Sequence, residues 1–365
     1  MPAFRDLNME AAGQLNDLAL IHPSRHGRLA YKRASRSILQ IEEPIDAIAA
    51  ARSLREIPYV GPASERVILE YLERGRSPTV ERAVDKSGKR DEVEAARAHR
   101  THFLSRAGAL RVLRSRAKGP IAVSDYKGDL QSHSEWSDGG ESIETLAAAA
   151  RERGYAYLAV SDHSYGLKIA RGMSMKDAER RRREIKSLNE RWDGAFRVFD
   201  AVEANIPVDG GVDMTAQELA TFELVLAAPH SRLRRSEDQT PRMLATVHHP
   251  AVHILAHPRG RMYSRQGVLA RWDEVFEEAS ERGVAIEIDG DPYRQDLDYT
   301  LAKRALAAGC LFALDSDAHA GSELIYAELA LAHARLAGIP AKRILNSWPA
   351  TKLAAWARER SARAR

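Results

Sequence analysis

The chain has 365 residues and a formal net charge of +4, with 44% hydrophobic and 29% charged residues. Its length suits one large domain and a small one, since a single core usually stops growing at roughly 250–300 residues. No apolar run approaches the roughly 18 residues of a membrane span, and a single cysteine excludes disulfides within the chain, so a cytoplasmic protein without a membrane partner is expected.

The charge is unevenly distributed along the chain. Residues 1–120 carry 22 Lys and Arg against 15 Asp and Glu, whereas residues 121–365 carry 33 against 36. A basic front segment suits a nucleic-acid backbone, whose binding depends largely on neutralised phosphates and released counterions. The acidic remainder suits cation binding.

The first predicted elements are helices with a basic face. The apolar spacing of residues 11–50 is helical, and residues 28–38 place basic side chains, among them Lys32 and Arg33, beside an apolar face. An ordinary solvated helix face would show the same pattern. In the turn that follows, Gly61 precedes Pro62, and the next helix is predicted to stop at Gly75.

This turn resembles a helix-hairpin-helix, in which hairpin N–H groups and the next helix N-terminus face a DNA phosphate. Tyr59 stands where the usual motif has its first glycine, so a plain helical turn is the alternative. The resemblance predicts that residues 1–84 form an all-α DNA-binding domain, followed by a basic helical linker over 85–122. The residues predicted to contact DNA are Tyr59, Gly61, Ala63, Lys32 and Arg33.

From residue 123 onward, apolar runs alternate with helical segments. Strands are predicted at 126–133, 155–162, 196–204, 222–229, 252–256, 284–288 and 311–315. Strands that alternate with helices form a parallel sheet with right-handed crossovers. Residues 123–365 are therefore predicted to be an α/β domain, a distorted seven-stranded (β/α)7 barrel of the triosephosphate-isomerase type.

Metal-ligand side chains follow the predicted strands at their C-terminal ends, where such barrels carry their chemistry. Five of the 13 histidines fall there, and the other eight are interpreted as structural. Imidazole with carboxylate suits Zn²⁺, Mn²⁺ or Fe²⁺, and so many ligands imply two or three divalent ions per chain. Clustered ions of this kind serve phosphoryl displacement. The candidate ligands are His133, Asp138, His163, Glu203, His230, His257, Asp317 and His319.

The segment from residue 126 resembles the PHP (polymerase and histidinol phosphatase) domain, whose metal ligands follow the same order. It looks most like the C-terminal PHP domain of bacterial family X DNA polymerases, whose Trp-Ser-Asp-Gly, His-Pro-x-Gly-Arg and Arg-x-Asp-Leu pieces stand at 136–139, 257–261 and 294–297. Residues 30–36 resemble the first small domain of those polymerases. The resemblance implies hydrolysis of DNA phosphoesters, with 3′→5′ exonuclease or 3′-phosphatase action and a role in DNA repair.

Three departures from the family limit this interpretation. Residues 76–125 leave no room for a polymerase palm, so polymerisation is not expected. The helix over 62–71 has no lysine, so Schiff-base lyase activity is not expected either. The first ligand motif reads Gln131-Ser-His133 where the family has His-x-His. Because an amide oxygen is a weaker ligand than imidazole, one metal position should bind less tightly, change its preferred ion or be empty.

The resemblance also implies a role for each ligand. Glu203 would bridge two ions, and Arg232, Arg259 or Arg261 would offset charge on phosphate oxygens, although each arginine could equally be a solvated surface residue. The expected sites combine Glu203 with Asp317 and His133, with His230 and His257, and a third set of Asp138, His163 and His319.

Two other functions are open at this stage. One is a small-molecule phosphatase of the histidinol-phosphatase type, which explains the barrel but leaves the basic segment unused. The other is a DNA-binding protein whose barrel is catalytically impaired, with Gln131 as the sign of the impairment. The sequence does not reveal the oligomeric state.

Overall fold

The computed structural model describes residues 4–115 and 120–363. The chain divides into two compact units, one formed by the residues up to Ser115 together with Tyr263–Arg265, the other by the remaining described residues. The first unit is helical, and the second contains a seven-stranded parallel sheet with helices between its strands. The predicted fold class, an α/β barrel preceded by a helical segment, is confirmed.

Within its described residues, the helical unit contains seven α-helices. In four of them a cap side chain accepts a hydrogen bond from the backbone N–H three positions on, at Asp6, Ser24, Ser77 and Ser105. The fourth helix instead has Pro62 in its first turn and ends at Gly75 in the left-handed region, as predicted. The helices are α1 Leu7–Ile21, α2 Arg25–Gln40, α3 Ile45–Ala50, α4 Pro62–Arg74, α5 Pro78–Ser87, α6 Arg90–Arg100 and α7 Arg106–Arg114.

The segment predicted as a linker, 85–122, contributes α6 and α7 to this unit. Buried Asp17 of α1 accepts a hydrogen bond from Arg97 Nε at 2.7 Å and another from Arg100, both on α6. Removing one partner of such a buried ion pair typically lowers the free energy of unfolding by about 3–5 kcal/mol. The pair therefore fixes α6 within the unit. Residues 116–119, near the end of the predicted linker, lie outside the described residues.

Seven parallel strands follow one another around the barrel in chain order. Each lies within one of the seven predicted runs, except that Asn205 and Asp289 extend the third and sixth strands by one residue. The predicted strands are therefore confirmed. They are β1 Gly128–Asp129, β2 Tyr157–Val160, β3 Arg197–Asn205, β4 Leu224–Ala228, β5 Ile254–Leu255, β6 Ala285–Asp289 and β7 Phe312–Asp315.

The two outer strands approach each other and nearly close the barrel. Just beyond the ends of β1 and β7, Ser132 and Ala318 form a parallel bridge, and His133 N donates to Ala318 O at 2.8 Å. A second bridge, between His163 and Glu203, extends the pairing of β2 and β3. All strands run in the same direction, so their C-terminal ends surround one mouth of the barrel.

Helices connect the strands, and the last of them closes the opposite end. Tyr157, Leu224 and Ile254, the first residues of their strands, share a buried apolar cluster with Leu353 and Ala357 of the last helix. Each fully buried side chain of this size contributes about 1.5–3 kcal/mol. In the described ranges, no helix is both long and apolar enough to cross a bilayer. The helices are α8 Ile143–Glu152, α9 Met175–Trp192, α10 Ala216–Leu219, α11 Thr240–His248, α12 Trp272–Arg282, α13 Tyr299–Ala307, α14 Ala327–Ala337 and α15 Ala350–Arg363.

Candidate metal centre

The nine predicted ligands lie at the C-terminal ends of the strands, and the structure joins them into one connected set of contacts. Five different loops and one strand supply them, so the cluster exists only in the folded barrel. In chain order they are Gln131, His133 and Asp138 after β1, His163 after β2, Glu203 in β3, His230 after β4, His257 after β5, and Asp317 and His319 after β7.

Glu203 lies at the centre of this cluster, with two imidazoles near each of its carboxylate oxygens. Oε2 is 3.1 Å from His133 Nε2 and 3.6 Å from His163 Nδ1. Oε1 is 3.1 Å from His230 Nε2 and 3.0 Å from His257 Nε2. The side chain of Glu203 is fully buried. This carboxylate is therefore placed to bridge two cations.

A second carboxylate, Asp138, faces the other side of the same histidines. Its Oδ1 is 3.4 Å from His163 Nε2 and 3.5 Å from His319 Nε2. The His133 ring stacks between the rings of His163 and His319, with centroids 4.3 and 4.5 Å away. Asp317 Oδ1 is 3.0 Å from His133 Nε2. The donor atoms thus form neighbouring groups that share members.

The donor atoms fit divalent metal ions in both spacing and chemistry. Within each of three groups, one ligand atom per residue lies within 4.8 Å of the others. Ligands of one tetrahedral ion at about 2.0–2.3 Å lie roughly 3–3.7 Å apart, which is the range of the contacts above. His133, His163 and Glu203 each belong to two groups, so the groups would hold adjacent ions. Nitrogen with oxygen donors and no cysteine suits Zn²⁺, Mn²⁺ or Fe²⁺.

The charge states of two central groups, Glu203 and His163, suit cation binding. Burial alone would raise the pKa of Glu203, but the facing imidazoles lower it well below its ordinary value, so this carboxylate is ionised. Burial lowers the pKa of His163 to about 4, which leaves its imidazole neutral near pH 7. Metal ligands must be deprotonated, and both side chains meet that requirement.

Gln131, which replaces the family's first histidine, lies inside the cluster. Its Nε2 donates to Glu203 Oε2 at 2.9 Å and approaches Asp317 Oδ1 at 3.4 Å. Its Oε1 is buried and has no hydrogen-bond donor in the part of the chain that the structure describes. An orphaned buried acceptor beside two carboxylates is a position that a cation would satisfy.

Neighbouring groups hold several ligand rings in position. Asn205 Oδ1 lies 3.2 Å from His230 Nδ1, and the backbone carbonyl of Asp317 lies 2.8 Å from His319 Nδ1. Such contacts fix the ring so that its other nitrogen faces the metal position. His257 and Asp317 also have left-handed backbone, with φ of 24° and 53°. Strained residues of this kind are typical of functional sites.

Two buried carboxylates behind the ligands were not among the nine predicted ligands. Asp129 Oδ1 accepts the backbone N–H of Gln131 at 3.0 Å, and Glu287 Oε2 accepts that of His257 at 2.6 Å. Burial raises the pKa of Asp129 and Glu287 well above their ordinary values. They hold the backbone of ligand-bearing segments, and their positions at strand ends were the only sequence signal for them.

The three arginines predicted to act in catalysis are paired elsewhere. Arg259 Nη1 and Arg261 Nη1 each lie 3.1 Å from Asp298 Oδ2, and Arg232 is exposed and paired with Glu237 at 3.1 Å. Among the described residues, no ion pair joins these arginines to a ligand carboxylate. Their predicted role at the phosphate therefore stays a prediction.

Arg294 is the arginine that the structure places beside the ligands. Its Nη1 is 3.3 Å from Asp317 Oδ2, and its Nε is 3.3 Å from Asp289 Oδ2. Its side chain is 21% exposed, so solvent reaches it. Arg261 Nε donates to the backbone carbonyl of Arg294 at 3.1 Å and thus supports this segment. Arg294 begins the Arg-x-Asp-Leu piece, but it was not among the predicted site residues.

The residues predicted to bind DNA belong to the helical unit. Lys32 and Arg33 are exposed on α2, and the guanidinium of Arg33 lies 5.5 Å from the ring centroid of Tyr59. Gly61 is the cap residue of α4, and Ala63 is exposed in its first turn. The structure thus gathers Arg33 and Tyr59 on one surface of that unit.

Comparisons with known proteins agree with the resemblance seen in the sequence. No protein-family model matches the chain. The DNA polymerase/3'-5' exonuclease PolX of Bacillus subtilis is 33% identical over 229 residues, which are 62% of this chain and 40% of that protein. The chain thus spans less than half the length of this relative. The probable phosphatase YcdX of Escherichia coli is 28% identical over 236 residues, or 61% of this chain and 91% of that protein.

Among solved structures, histidinol phosphate phosphatase from Lactococcus lactis, complexed with zinc, L-histidinol and phosphate, has a TM-score of 0.43 at 15% identity. The matched region covers 57% of this chain and 94% of that structure. A likeness this weak carries no argument about function. The two sequence relatives are named for phosphoester chemistry, which agrees with the predicted enzyme class. These sequence similarities, together with the order of the ligands around the barrel, support the resemblance of this chain to the PHP domain family.

Proposed function

We propose that this chain is a metal-dependent phosphoesterase that hydrolyses DNA phosphoesters at 3′ ends, as a 3′→5′ exonuclease or a 3′-phosphatase. The observation that carries the proposal is the buried Glu203 with four imidazoles within 3.6 Å of its oxygens. Histidine and carboxylate ligands that share members suit two or three adjacent ions, with Mn²⁺ or Zn²⁺ as the first candidates. Bound there, such ions would activate a water molecule and offset charge on phosphate oxygens.

The protein's own residues supply position and charge for this reaction. Glu203 and Asp317 hold negative charge at the buried centre of the site, where two or more cations need it. Arg294 adds a partly exposed cation next to Asp317, from which a guanidinium can donate two parallel hydrogen bonds to a phosphate. A fixed cation aimed at the developing charge lowers the barrier to phosphoryl transfer.

DNA is the favoured substrate because of the helical unit. Its helix α2 carries five basic residues and no acidic one, and all five are exposed. A phosphate backbone is the ligand that such a face neutralises. The similarity to a protein named as an exonuclease supports the same choice.

A second candidate is hydrolysis of small phosphate monoesters. It is favoured by the similarity to a probable phosphatase, because the chain covers 91% of that protein's length. A catalytically impaired DNA-binding protein is the third possibility, since Gln131 replaces a histidine ligand of the family.

Turnover of matched substrates by the full chain tests these choices. The purified protein is stripped with a chelator, reloaded with Mn²⁺ or Zn²⁺, and given a 3′-hydroxyl oligonucleotide, a 3′-phosphorylated oligonucleotide or histidinol phosphate. The proposal expects chelation to abolish turnover of the oligonucleotides and metal to restore it. Activity that is insensitive to chelation would refute the mechanism, and turnover of histidinol phosphate alone would favour the second candidate.

Variants locate the activity in the barrel. Glu203→Gln should lose the bound metal and the hydrolysis together, because it removes the bridging charge. Glu237→Gln changes an exposed carboxylate in the loop after β4 and should keep both. If Glu203→Gln retained full activity, the candidate centre would not be the active site. If only Gln131→His were active, the third possibility would be correct.

A further inference from the structure

The turn before α4 presents Tyr59 in a conformation that favours glycine. Val60 N donates to Ile57 O at 3.1 Å, which closes a four-residue turn with Pro58 and Tyr59 at its centre. Tyr59 has φ of 67°. Proline in the second position and a left-handed third position are the pattern of a type II turn, where the third residue is usually glycine. A tyrosine here strains the backbone.

The flanking residues fix this turn and direct the tyrosine outward. Ile57 and Val60 are buried, with 6% and 5% of their surface exposed, whereas Tyr59 is 64% exposed. Among the described residues, Tyr59 is the most exposed tyrosine, tryptophan or phenylalanine, ahead of Tyr165 at 37%. Its described ring contact is the guanidinium of Arg33, 5.5 Å from the ring centroid. The strained conformation therefore places the Tyr59 ring on the surface of the helical unit and not in its core.

The surface around this ring is basic. Helix α2, which carries Arg33, has no acidic residue over Arg25–Gln40. Its basic side chains are all exposed, which gives the helix a positive face beside the projecting aromatic ring. These side chains are Arg25, Arg28, Lys32, Arg33 and Arg36.

We propose that Tyr59, supported by Arg33, is a stacking platform for an unpaired nucleobase, and that the basic face of α2 holds the neighbouring phosphates of single-stranded DNA. A tyrosine ring offers a face on which any base can stack, and a basic groove beside it tracks the backbone. Arg33 strengthens the platform through its contact with the ring. The proposal rests on DNA as the partner in the proposed function, but not on hydrolysis.

The same geometry argues against the usual approach of duplex DNA to such a hairpin. Glycine in the hairpin leaves its backbone N–H groups open to a phosphate. A projecting ring at Tyr59 occupies that approach, so a splayed single strand fits this surface better than a blunt duplex. The expected preference is for single-stranded or frayed 3′ ends.

Binding measured on the full chain, without added metal, tests the platform. The probes are a single-stranded oligonucleotide with one 2-aminopurine and a blunt duplex of the same sequence, at fixed ionic strength. The wild type should quench the 2-aminopurine, and Tyr59→Gly should weaken single-strand binding about ten-fold, the size of one lost stacking contact. Tyr59→Phe keeps the aromatic ring and should bind the single strand as tightly as the wild type. The duplex affinity should be the same for the wild type and both variants.

Stability measurements separate this role from a structural one. Tyr59→Gly should melt at the same or a higher temperature than the wild type, because glycine relieves the left-handed strain. Leu69→Ala removes another exposed apolar side chain from the same unit and should change neither binding nor quenching. The platform would be overturned if the wild type left 2-aminopurine unquenched or if Tyr59→Gly bound the single strand as tightly as the wild type. It would also be overturned if Tyr59→Gly lost as much affinity for the duplex as for the single strand.

Two measurements distinguish failure of the stacking platform from failure of the proposed hydrolysis. Hydrolysis of bis(p-nitrophenyl) phosphate by the metal-loaded wild type depends on the barrel and needs no base to stack. Absent hydrolysis of this substrate and of oligonucleotides would refute the phosphoesterase, whereas the quenching result would still decide the platform.

Discussion

The amide nitrogen of Gln131 donates a hydrogen bond to Glu203 Oε2 at 2.9 Å, so a neutral donor faces the carboxylate at the centre of the cluster. The bond uses only Nε2, and the buried Oε1 of the same amide has no donor among the described residues, so this oxygen would be the atom available to a cation. An amide oxygen is a weaker ligand than the imidazole of the family's motif, so the metal position beside Gln131 is expected to bind less tightly.

Gln131→His should strengthen metal binding. An imidazole at this position replaces the amide oxygen with a stronger nitrogen ligand. We expect the variant to retain metal against a chelator concentration higher by on the order of ten-fold. Metal content per chain is measured along a chelator titration, with Gln131→Ala as the control that adds no donor. Identical retention in wild type and Gln131→His would mean that Gln131 does not limit binding.

Arg294→Ala should separate catalysis from metal binding. Arg294 lies 3.3 Å from Asp317 and Asp289, so its removal leaves more negative charge for the cations and should maintain or increase metal content. It also removes the cation proposed to face the phosphate, and turnover should fall roughly 100- to 1000-fold. Steady-state hydrolysis and metal analysis are compared with Arg271→Gln, an exposed arginine on the surface. Loss of metal together with activity would show that Arg294 only stabilises the site.

The strands, and the gathering of the proposed ligands at one mouth of the barrel, could be predicted because both depend on local sequence. Each barrel strand is an apolar run that ends in polar residues, and parallel strands necessarily bring those ends together. The lengths of the strands were less predictable than their positions. The first strand was predicted over 126–133 but pairs regularly only at Gly128–Asp129, because the following residues form the isolated bridge to Ala318 instead. His253, interpreted as structural, is indeed buried with partners on both ring nitrogens.

The arginines near the site could not be distinguished from the sequence. Arg259, Arg261 and Arg294 all stand in the pieces that resemble the family, and nothing in the local sequence distinguishes them. Asp298 binds the first two in the folded chain, and Asp317 faces the third. These pairings depend on how the loops after β5, β6 and β7 meet, which no local pattern encodes.

His253 should make the folded chain less stable in acid. Val225 N donates to its Nδ1 at 3.1 Å, and its Nε2 lies 3.0 Å from Ala357 O, so both nitrogens are satisfied only when the ring is neutral. Burial lowers the pKa of His253 to about 4, below the value of roughly 6.5 for an unfolded chain. A proton on Nδ1 would oppose the Val225 N–H.

Because the unfolded state takes up this proton first, the contribution of His253 is complete above pH 6.5 and declines as the pH falls toward 4. The loss amounts to about 2–3 kcal/mol. Chemical denaturation at pH 7 and pH 4.5 measures it, since His253→Gln should be less stable at pH 7 yet lose less on acidification. Equal losses in wild type and His253→Gln would exclude His253 as the titrating group.

Arg181 of α9 should be essential for the stability of the barrel. Its fully buried guanidinium lies 2.8 Å from Asp162 Oδ2 and 2.6 Å from Asp200 Oδ1. Arg181→Ala leaves both buried carboxylates without this partner, and a one-sided loss of that kind typically costs about 3–5 kcal/mol. Arg183, two residues along the same helix, is 64% exposed, and its described ion pair joins it to Glu179 at 2.7 Å.

Arg183→Ala is therefore the matched control, and its cost should stay below about 1 kcal/mol. Both variants are compared with the wild type by urea denaturation of the metal-free chain. Asp162 precedes the ligand His163 and accepts hydrogen bonds from Ser134 and Ser137, so Arg181→Ala should also loosen the metal site. If the two variants lost similar stability, the buried pairs of Arg181 would contribute no more than a surface ion pair.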